Sequence, residues 1–189
     1  AKSDSKGIMT ERVLDALVDS VALDSQYALD LHATHLDSVN YPFTFIFQTK
    51  GEKANVKTRR EELAKQVGYE IIYNWPSHST GFNGILQSRG CPTVAIQAGE
   101  GWRIQEPFSA ILLRGINNFC KASGCILGDP DVAGLQVQIN KRHEVMVNRG
   151  GMLYTKVKPG QYVKKNELVG EVRNMFGDVI DYIYSPANG

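Results

Sequence analysis

A short run of mostly apolar residues, Tyr27-Ala28-Leu29-Asp30-Leu31, leads directly into His32 near the start of this 189-residue chain. The run predicts a β-strand, and α/β enzymes keep their reactive groups at the ends of such strands. Side chains two residues apart share one face of a strand, so Asp30 and His32 are predicted to project to the same side. A carboxylate placed there would orient a metal-bound imidazole. The alternative is that Asp30 and His32 only cap the next turn.

Helical and strand-like patterns alternate on both sides of this run. Helices are predicted from Thr10, from the capping-box pair Thr58 and Glu61, and over Gln105 to Ser123. Strands separated by helices imply an α/β fold with a largely parallel sheet covered on both faces. This α/β domain is expected to span residues 1–128. Its further strands are predicted at Phe43 to Phe47, Glu70 to Asn74 and Thr93 to Gln97.

After Gly128-Asp129-Pro130 the pattern changes to short strands without a helical window, which predicts an all-β domain over residues 129–189. The segment from Val157 to Val172 resembles the half-repeat of biotinyl and lipoyl carrier domains, which implies a small barrel-sandwich-like unit. Those carriers present a modifiable lysine at a hairpin tip, but residues 174–178 contain none, so the carrier function is not expected. The strands are predicted at Leu135 to Ile139, Glu144 to Val147, Met152 to Val157, Glu167 to Val172 and Val179 to Tyr184.

Charge and composition argue against several classes of protein. The formal net charge is +1 without a basic stripe, so neither nucleic acid nor a membrane surface is an expected partner. No apolar stretch approaches the roughly 18 residues of a spanning helix, and residues 1–7 lack the apolar region of a signal peptide. A cytoplasmic protein is therefore expected. The three cysteines form no C-x-x-C pair, which argues against a disulfide framework and an all-cysteine zinc site.

Four segments, taken in their order along the chain, carry a resemblance to a known family. They are Asp30-Leu31-His32, the loop Ser79-Thr80-Gly81-Phe82, the strand from Pro92 to Glu100 and the closing β unit. In this order they resemble the succinylglutamate desuccinylase/aspartoacylase family, relatives of the zinc carboxypeptidases. The resemblance implies a mixed, mostly parallel sheet flanked by helices. It also implies cleavage of the amide bond of N-acyl amino acids or amines by a zinc-bound water.

The same resemblance implies roles for individual residues. His32 corresponds to a zinc ligand of the family, and Ser79 and Thr80 would line the substrate pocket. Gln97 stands where the family has its general-base glutamate. Zinc with three protein ligands lowers the pKa of a bound water towards about 7 and polarises the scissile carbonyl. A nearby carboxylate must then accept the proton and return it to the leaving amine.

The chain departs from the family pattern in two respects. No histidine precedes His32, so the family's His-x-x-Glu pair of zinc ligands is absent there, and the Asn-Arg segment that holds a substrate carboxylate in the family is also absent from residues 1–31. We therefore expect a fragment whose other zinc ligands lie upstream. In addition, the amide of Gln97 cannot accept a proton at neutral pH. Glu100 is a candidate substitute, and the alternative is that Glu100 only pairs with Arg103.

Two classes of function stay open from the sequence. The first is a zinc-dependent deacylase that acts on a small N-acylated amino acid or amine. The second is a non-catalytic family member that binds an amino-acid-like ligand or a protein partner. A His-x-x-Glu motif upstream of Ala1 would favour the enzyme. The sequence leaves the acyl group open, and it is compatible with a homo-oligomer.

Overall fold

The computed structural model describes residues 7–22, 24–78, 81–132 and 134–189. The chain divides into two compact units, Ala1–Asn140 and Lys141–Gly189. A π-helical turn, Val18–Ala22, continues the first helix. The helices and strands of the first unit are α1 Met9–Leu17, β1 Ala28–His32, β2 Val39–Gln48, α2 Ala54–Gln66, β3 Ile71–His78, α3 Phe82–Ser88, β4 Thr93–Glu100, α4 Glu106–Ala122 and β5 Val137–Ile139.

Five strands form one sheet in the order β1-β4-β2-β3-β5. Neighbouring strands are parallel except for β2 and β4, which pair antiparallel. The predicted mixed, mostly parallel sheet flanked by helices is therefore confirmed. Because of this one antiparallel pair, the carboxyl ends of β1 and β4 lie at one end of the sheet. The carboxyl ends of β2, β3 and β5 lie at the opposite end.

The two faces of the sheet carry different side chains, because successive residues of a strand point to opposite sides. One face is aliphatic and packs against α2 and α4, with Leu63, Ile72, Ile96 and Phe119 in its core. Each such buried side chain stabilises the fold by roughly 2 kcal/mol. The other face carries an aromatic cluster that consists of Phe43, Phe45, Phe47, Tyr73 and Trp75.

The predicted starts of two helices are wrong. α1 begins just before Thr10, where the backbone N–H of Ile8 donates to Oε2 of Glu11 at 3.0 Å. α2 begins at residue 54, so Thr58 and Glu61 both lie inside the helix and cap nothing. The spacing of a capping box is also the i,i+3 spacing of any two neighbours on a helix surface, so the motif alone could not locate the helix start.

The third strand and a short helix also differ from the predictions, as does the position of β5. β3 extends to His78, and α3 follows where no helix was predicted. The strand expected at Leu135 to Ile139 belongs to the first sheet and not to the all-β unit, because Val137–Ile139 pairs with Ile71–Tyr73 of β3. The chain therefore leaves the first unit at residue 140, later than the predicted boundary at 128.

The second unit contains a three-stranded antiparallel sheet in the order β6-β7-β8, formed by Met152–Thr155, Leu168–Arg173 and Val179–Tyr184. The predicted hairpin tip lies between β7 and β8, where Oδ1 of Asn174 accepts hydrogen bonds from two backbone N–H groups. The strand predicted at Glu144 to Val147 is wrong: those residues pair with no strand and are exposed. Three of the four residues are apolar, but no neighbouring strand covers their side chains.

Candidate functional site

His32 and Asp30 contact each other at the end of β1. Nε2 of His32 lies 2.8 Å from Oδ2 of Asp30, so the predicted projection of both side chains to one side is confirmed. The ring of His32 meets Phe45 edge-on, with ring centroids 6.1 Å apart, which places the pair on the aromatic face. The His32 side chain is 41% exposed, so a ligand can reach the imidazole.

Asn83, at the start of α3, supports the carboxylate from the other side. Its Nδ2 donates to Oδ2 of Asp30 at 2.8 Å, and Asn83 itself is only 6% exposed. The amide must face Asp30 with its NH₂ group, because a carboxylate only accepts hydrogen bonds. Asp30 is thus held between His32 and Asn83, with both donors on the same oxygen.

The electrostatics of this trio favour an ionised Asp30. Burial alone would raise the pKa of Asp30, but the hydrogen bond and charge of His32 and the hydrogen bond from Asn83 outweigh it and lower the pKa. The hydrogen bond to Asp30 raises the pKa of His32 against the opposing effect of burial, and the negative charge of Asp30 adds to the increase. Each partner therefore stabilises the charged form of the other.

The same hydrogen bond determines which nitrogen of His32 is left for other partners. An ionised Asp30 only accepts hydrogen bonds, so Nε2 of His32 must carry the proton that it shares with Asp30. In the neutral imidazole the lone pair is then on Nδ1. A metal-binding histidine commonly donates its other N–H to a carboxylate in this way. The arrangement leaves Nδ1 as the only nitrogen with which His32 could bind a metal.

Gln97 lies directly beside His32 in the sheet. The two residues are register partners between the parallel strands β1 and β4, so their side chains project to the same face. On its other side Gln97 is the register partner of Phe43 in β2. Gln97, predicted from the resemblance to occupy the general-base position, therefore lies next to the candidate zinc ligand. Its role in catalysis stays a prediction.

Glu100, the candidate substitute for Gln97, has other partners. Its Oε1 lies 3.6 Å from Nε of Arg103, so the predicted pairing is present. Nε2 of Gln105 donates to Oε2 of Glu100, and the backbone N–H of Glu100 donates to Oε1 of Gln105. Within the described part of the chain, no hydrogen bond or ion pair joins Glu100 to His32. These contacts hold Glu100 at the loop that precedes α4.

Ser79 and Thr80, the predicted substrate-binding residues, lie outside the described residues. Their place at the substrate pocket stays a prediction. Gln48 and His78 are register partners at the ends of β2 and β3, and both strands run antiparallel to β4. β3 therefore ends at the opposite end of the sheet from β1, whereas α3, which follows β3 in the chain, begins beside Asp30.

Asn83 is the residue of this trio that the sequence analysis missed, because α3 was not predicted. A signal was present, since Phe82, Ile85 and Leu86 have the i, i+3, i+4 spacing of a helix that buries one face. Leu86 and Phe82 do pack together with Cys91. This packing sets the start of α3 against β1, which brings Asn83 to Asp30.

The described residues contain no complete metal site. Within residues 7–22, 24–78, 81–132 and 134–189, no three side chains of His, Cys, Asp or Glu are grouped so that they could hold a metal ion. The donor chemistry of His32 fits one ligand of a zinc site, because its Nε2–H donates a hydrogen bond to a carboxylate and its Nδ1 lone pair is available in the neutral imidazole.

None of the helices that the structure describes combines the length and apolar character of a membrane span.

Several solved structures share this fold. The apo ectoine utilization protein EutE (DoeB) from Ruegeria pomeroyi superposes with a TM-score of 0.80 at 17% identity, over 97% of this chain and 59% of that one. A product-bound structure of the same protein gives a TM-score of 0.82, again at 17% identity, over 97% of this chain and 57% of that one. A succinylglutamate desuccinylase/aspartoacylase from Rhodobacter sphaeroides gives 0.80 at 20% identity, over 99% of this chain and 58% of that one.

The comparisons agree with the resemblance found in the sequence at the level of the fold. The chain spans less than two thirds of the length of these structures. No protein-family model and no curated protein matches the sequence. The likeness therefore lies in the three-dimensional arrangement of the elements.

Proposed function

We propose that this chain has the fold of, and acts as part of, a zinc-dependent hydrolase of the N-acyl amino acid deacylase type. The observation that carries the proposal is the trio His32, Asp30 and Asn83, which presents a supported imidazole beside Gln97. The proposal is supported by the fold that this chain shares with a succinylglutamate desuccinylase/aspartoacylase. The substrate would be a small N-acylated amino acid or amine.

In this proposal His32 supplies one zinc ligand through Nδ1, and the remaining ligands come from residues upstream of this chain. When bound, zinc would polarise the scissile carbonyl and make water a better nucleophile at neutral pH. In the neutral imidazole, Asp30 keeps the one ring proton of His32 on Nε2, which leaves the lone pair on Nδ1. Asn83 holds Asp30 in place through its donated hydrogen bond.

Hydrolysis by a metal-bound water requires a proton acceptor near His32. Gln97 can orient a water or a carbonyl by hydrogen bonding but cannot take a proton at neutral pH. Glu100 could act as the base only if it gave up its contacts with Arg103 and Gln105. In the proposed enzyme, Ser79 and Thr80 line the substrate pocket.

The alternative is a non-catalytic protein that binds an amino-acid-like ligand or a protein partner. The feature that favours it is the glutamine at position 97, where the resemblance implies a carboxylate.

The proposed enzyme has three further features: kinship with the zinc carboxypeptidases, a barrel-sandwich form of the second unit, and a cytoplasmic location. A homo-oligomer is compatible with both functions.

Hydrolysis assays on the complete protein loaded with zinc would test the proposal. The substrates would be N-succinyl and N-acetyl amino acids, with release of the free amine as the readout. We expect His32→Ala to lose hydrolysis and zinc occupancy together. His35→Ala, an exposed loop residue three positions later, is the matched control and should retain both. Full zinc occupancy of the parent without hydrolysis of any substrate would favour the non-catalytic alternative.

A further inference from the structure

A cavity of about 510 Å³ lies between α2 and the sheet, and none of the residues of the His32 site lines it. Ile46 lines this cavity, whereas its neighbour Phe45 contacts the ring of His32 on the opposite face. The cavity lies at the carboxyl ends of β2, β3 and β5, because it is lined by Gln48, the last residue of β2, and by Asn140, which follows β5. Ligands of open α/β sheets commonly bind at the carboxyl ends of parallel strands.

A buried ion pair forms one wall of the cavity. Nη1 of Arg60 lies 3.2 Å from Oε2 of Glu52, and the two side chains are only 2% and 6% exposed. Arg60 also donates to the backbone oxygen of Phe47. Burial lowers the pKa of Arg60 and raises the pKa of Glu52, so each charge is incompletely compensated. Both residues line the cavity.

Each member of this pair has one polar atom without a partner. Nε of Arg60 and Oε1 of Glu52 are buried, and neither has a hydrogen-bonding partner among the described residues. Buried polar groups are nearly always satisfied, and an unsatisfied charged group is costly, so such atoms indicate a missing water, ion or ligand. A ligand that satisfies both atoms would place a hydrogen-bond acceptor beside Nε of Arg60 and a donor beside Oε1 of Glu52.

The rest of the lining is charged or polar and suits a small ligand. Lys57 and Lys65 add positive charge and Glu61 adds negative charge along the same side of α2. Asn74 and Asn140 are joined by a hydrogen bond of 2.6 Å, and each amide keeps further hydrogen-bonding capacity. The volume is that of a small-molecule pocket, whereas the lining is far more polar than usual. A ligand that carries both charges matches this lining.

We propose that this cavity is a binding site for a small zwitterion, an α-amino acid with a polar side chain. Its carboxylate would lie towards Arg60 and the two lysines, and its ammonium group towards Glu52 and Glu61. The site is separate from the candidate deacylase site, since the two sites lie on opposite faces of the sheet and at opposite ends of its strands. The proposal therefore does not depend on hydrolysis.

A titration of the complete ¹⁵N-labelled protein, followed by amide chemical shifts, would test this site with L-glutamine as the probe. We expect shifts at residues 48–65 and 138–140 that saturate, in the parent and in His32→Ala alike. Acetate and methylammonium carry one charge each, so each can pair with only one of Arg60 and Glu52. Both should bind at least about tenfold more weakly than L-glutamine. If acetate bound as tightly as L-glutamine, the proposal of a zwitterionic ligand would be refuted. Chemical-shift changes confined to residues around His32 would refute the proposed site.

Two variants with matched controls complete the test. Glu52→Gln should weaken L-glutamine binding about tenfold, whereas Glu62→Gln, which changes an exposed residue of α2, should not. Since Glu52→Gln could unfold the protein by leaving Arg60 unpaired, Gln138→Trp offers an independent test. It adds bulk at the mouth of the cavity and should abolish binding, whereas Val137→Trp points to the other face and should leave it intact. Unchanged binding in Gln138→Trp would refute the site.

Discussion

Nε2 of His32 donates to Oδ2 of Asp30 across 2.8 Å, and this contact determines the chemistry of the imidazole. It keeps a proton on Nε2, raises the pKa of His32 and leaves Nδ1 as the nitrogen for a metal. Asn83 donates to the same oxygen of Asp30. The trio thus prepares one ligand of a zinc site without containing the others.

The first prediction concerns the pKa of His32. Asp30→Asn removes the hydrogen-bonded negative charge that stabilises the imidazolium, so the pKa of His32 should fall. An NMR titration of the imidazole resonances would measure this change. Asp37→Asn, which removes an exposed carboxylate of the following loop, is the control and should leave the value unchanged. An unaltered pKa in Asp30→Asn would mean that the contact with Asp30 is absent in solution.

The second prediction concerns the stability of the first unit as a function of pH. The raised pKa of His32 contributes stability that is complete below its ordinary value of 6.5 and is lost as the pH rises through the raised pKa. The lowered pKa of Asp30 contributes stability above its ordinary value of 3.8, which is lost as the pH falls through the lowered pKa. The pair is thus strongest between these two ordinary values.

The corresponding measurement is urea unfolding followed by tryptophan fluorescence, since Trp75 and Trp102 both lie in the first unit. The cost of Asp30→Asn in free energy of unfolding should be larger at pH 5 than at pH 9. The pair is partly exposed, at 41% for His32 and 23% for Asp30, so we expect a difference of less than about 1 kcal/mol. A cost that is larger at pH 9 would contradict the assigned directions of the pKa shifts.

The third prediction concerns zinc in the chain of residues 1–189 alone. One imidazole leaves the ion mostly in water, whereas tight sites need three or four protein ligands. Elemental analysis after dialysis should find well under one zinc per chain. Stoichiometric zinc that survives dialysis would contradict this prediction. His32→Ala should remove whatever weak binding remains.

The fourth prediction concerns the general base in the complete protein. Gln97→Glu places a carboxylate beside His32, and a positioned base typically contributes about 100- to 10,000-fold to the rate, so turnover should rise. Glu100→Gln should change turnover little, because Glu100 is held by Arg103 and Gln105. Kinetic assays on N-acyl amino acids would measure both variants. Loss of activity in Glu100→Gln, with no gain in Gln97→Glu, would move the base to Glu100.

The sequence by itself determined the elements whose pattern is local. The spacing of two residues was enough to place Asp30 and His32 on one side of a strand, because side-chain alternation is a property of the extended backbone. The apolar periodicity from Gln105 to Ser123 predicted α4 to within one residue at each end, since a helix of this length repeats its pattern several times.

Only the tertiary structure decided which distant residues meet. Asn83 and Asp30 are 53 residues apart, and their contact depends on how α3 packs against β1. The antiparallel pairing of β2 with β4 places the end of β3 at the opposite end of the sheet from the end of β1, and the pairing of β3 with β5 sets where the first unit ends. Local spacing cannot encode these choices, because strand direction and neighbour order follow from the arrangement that buries both faces of the sheet.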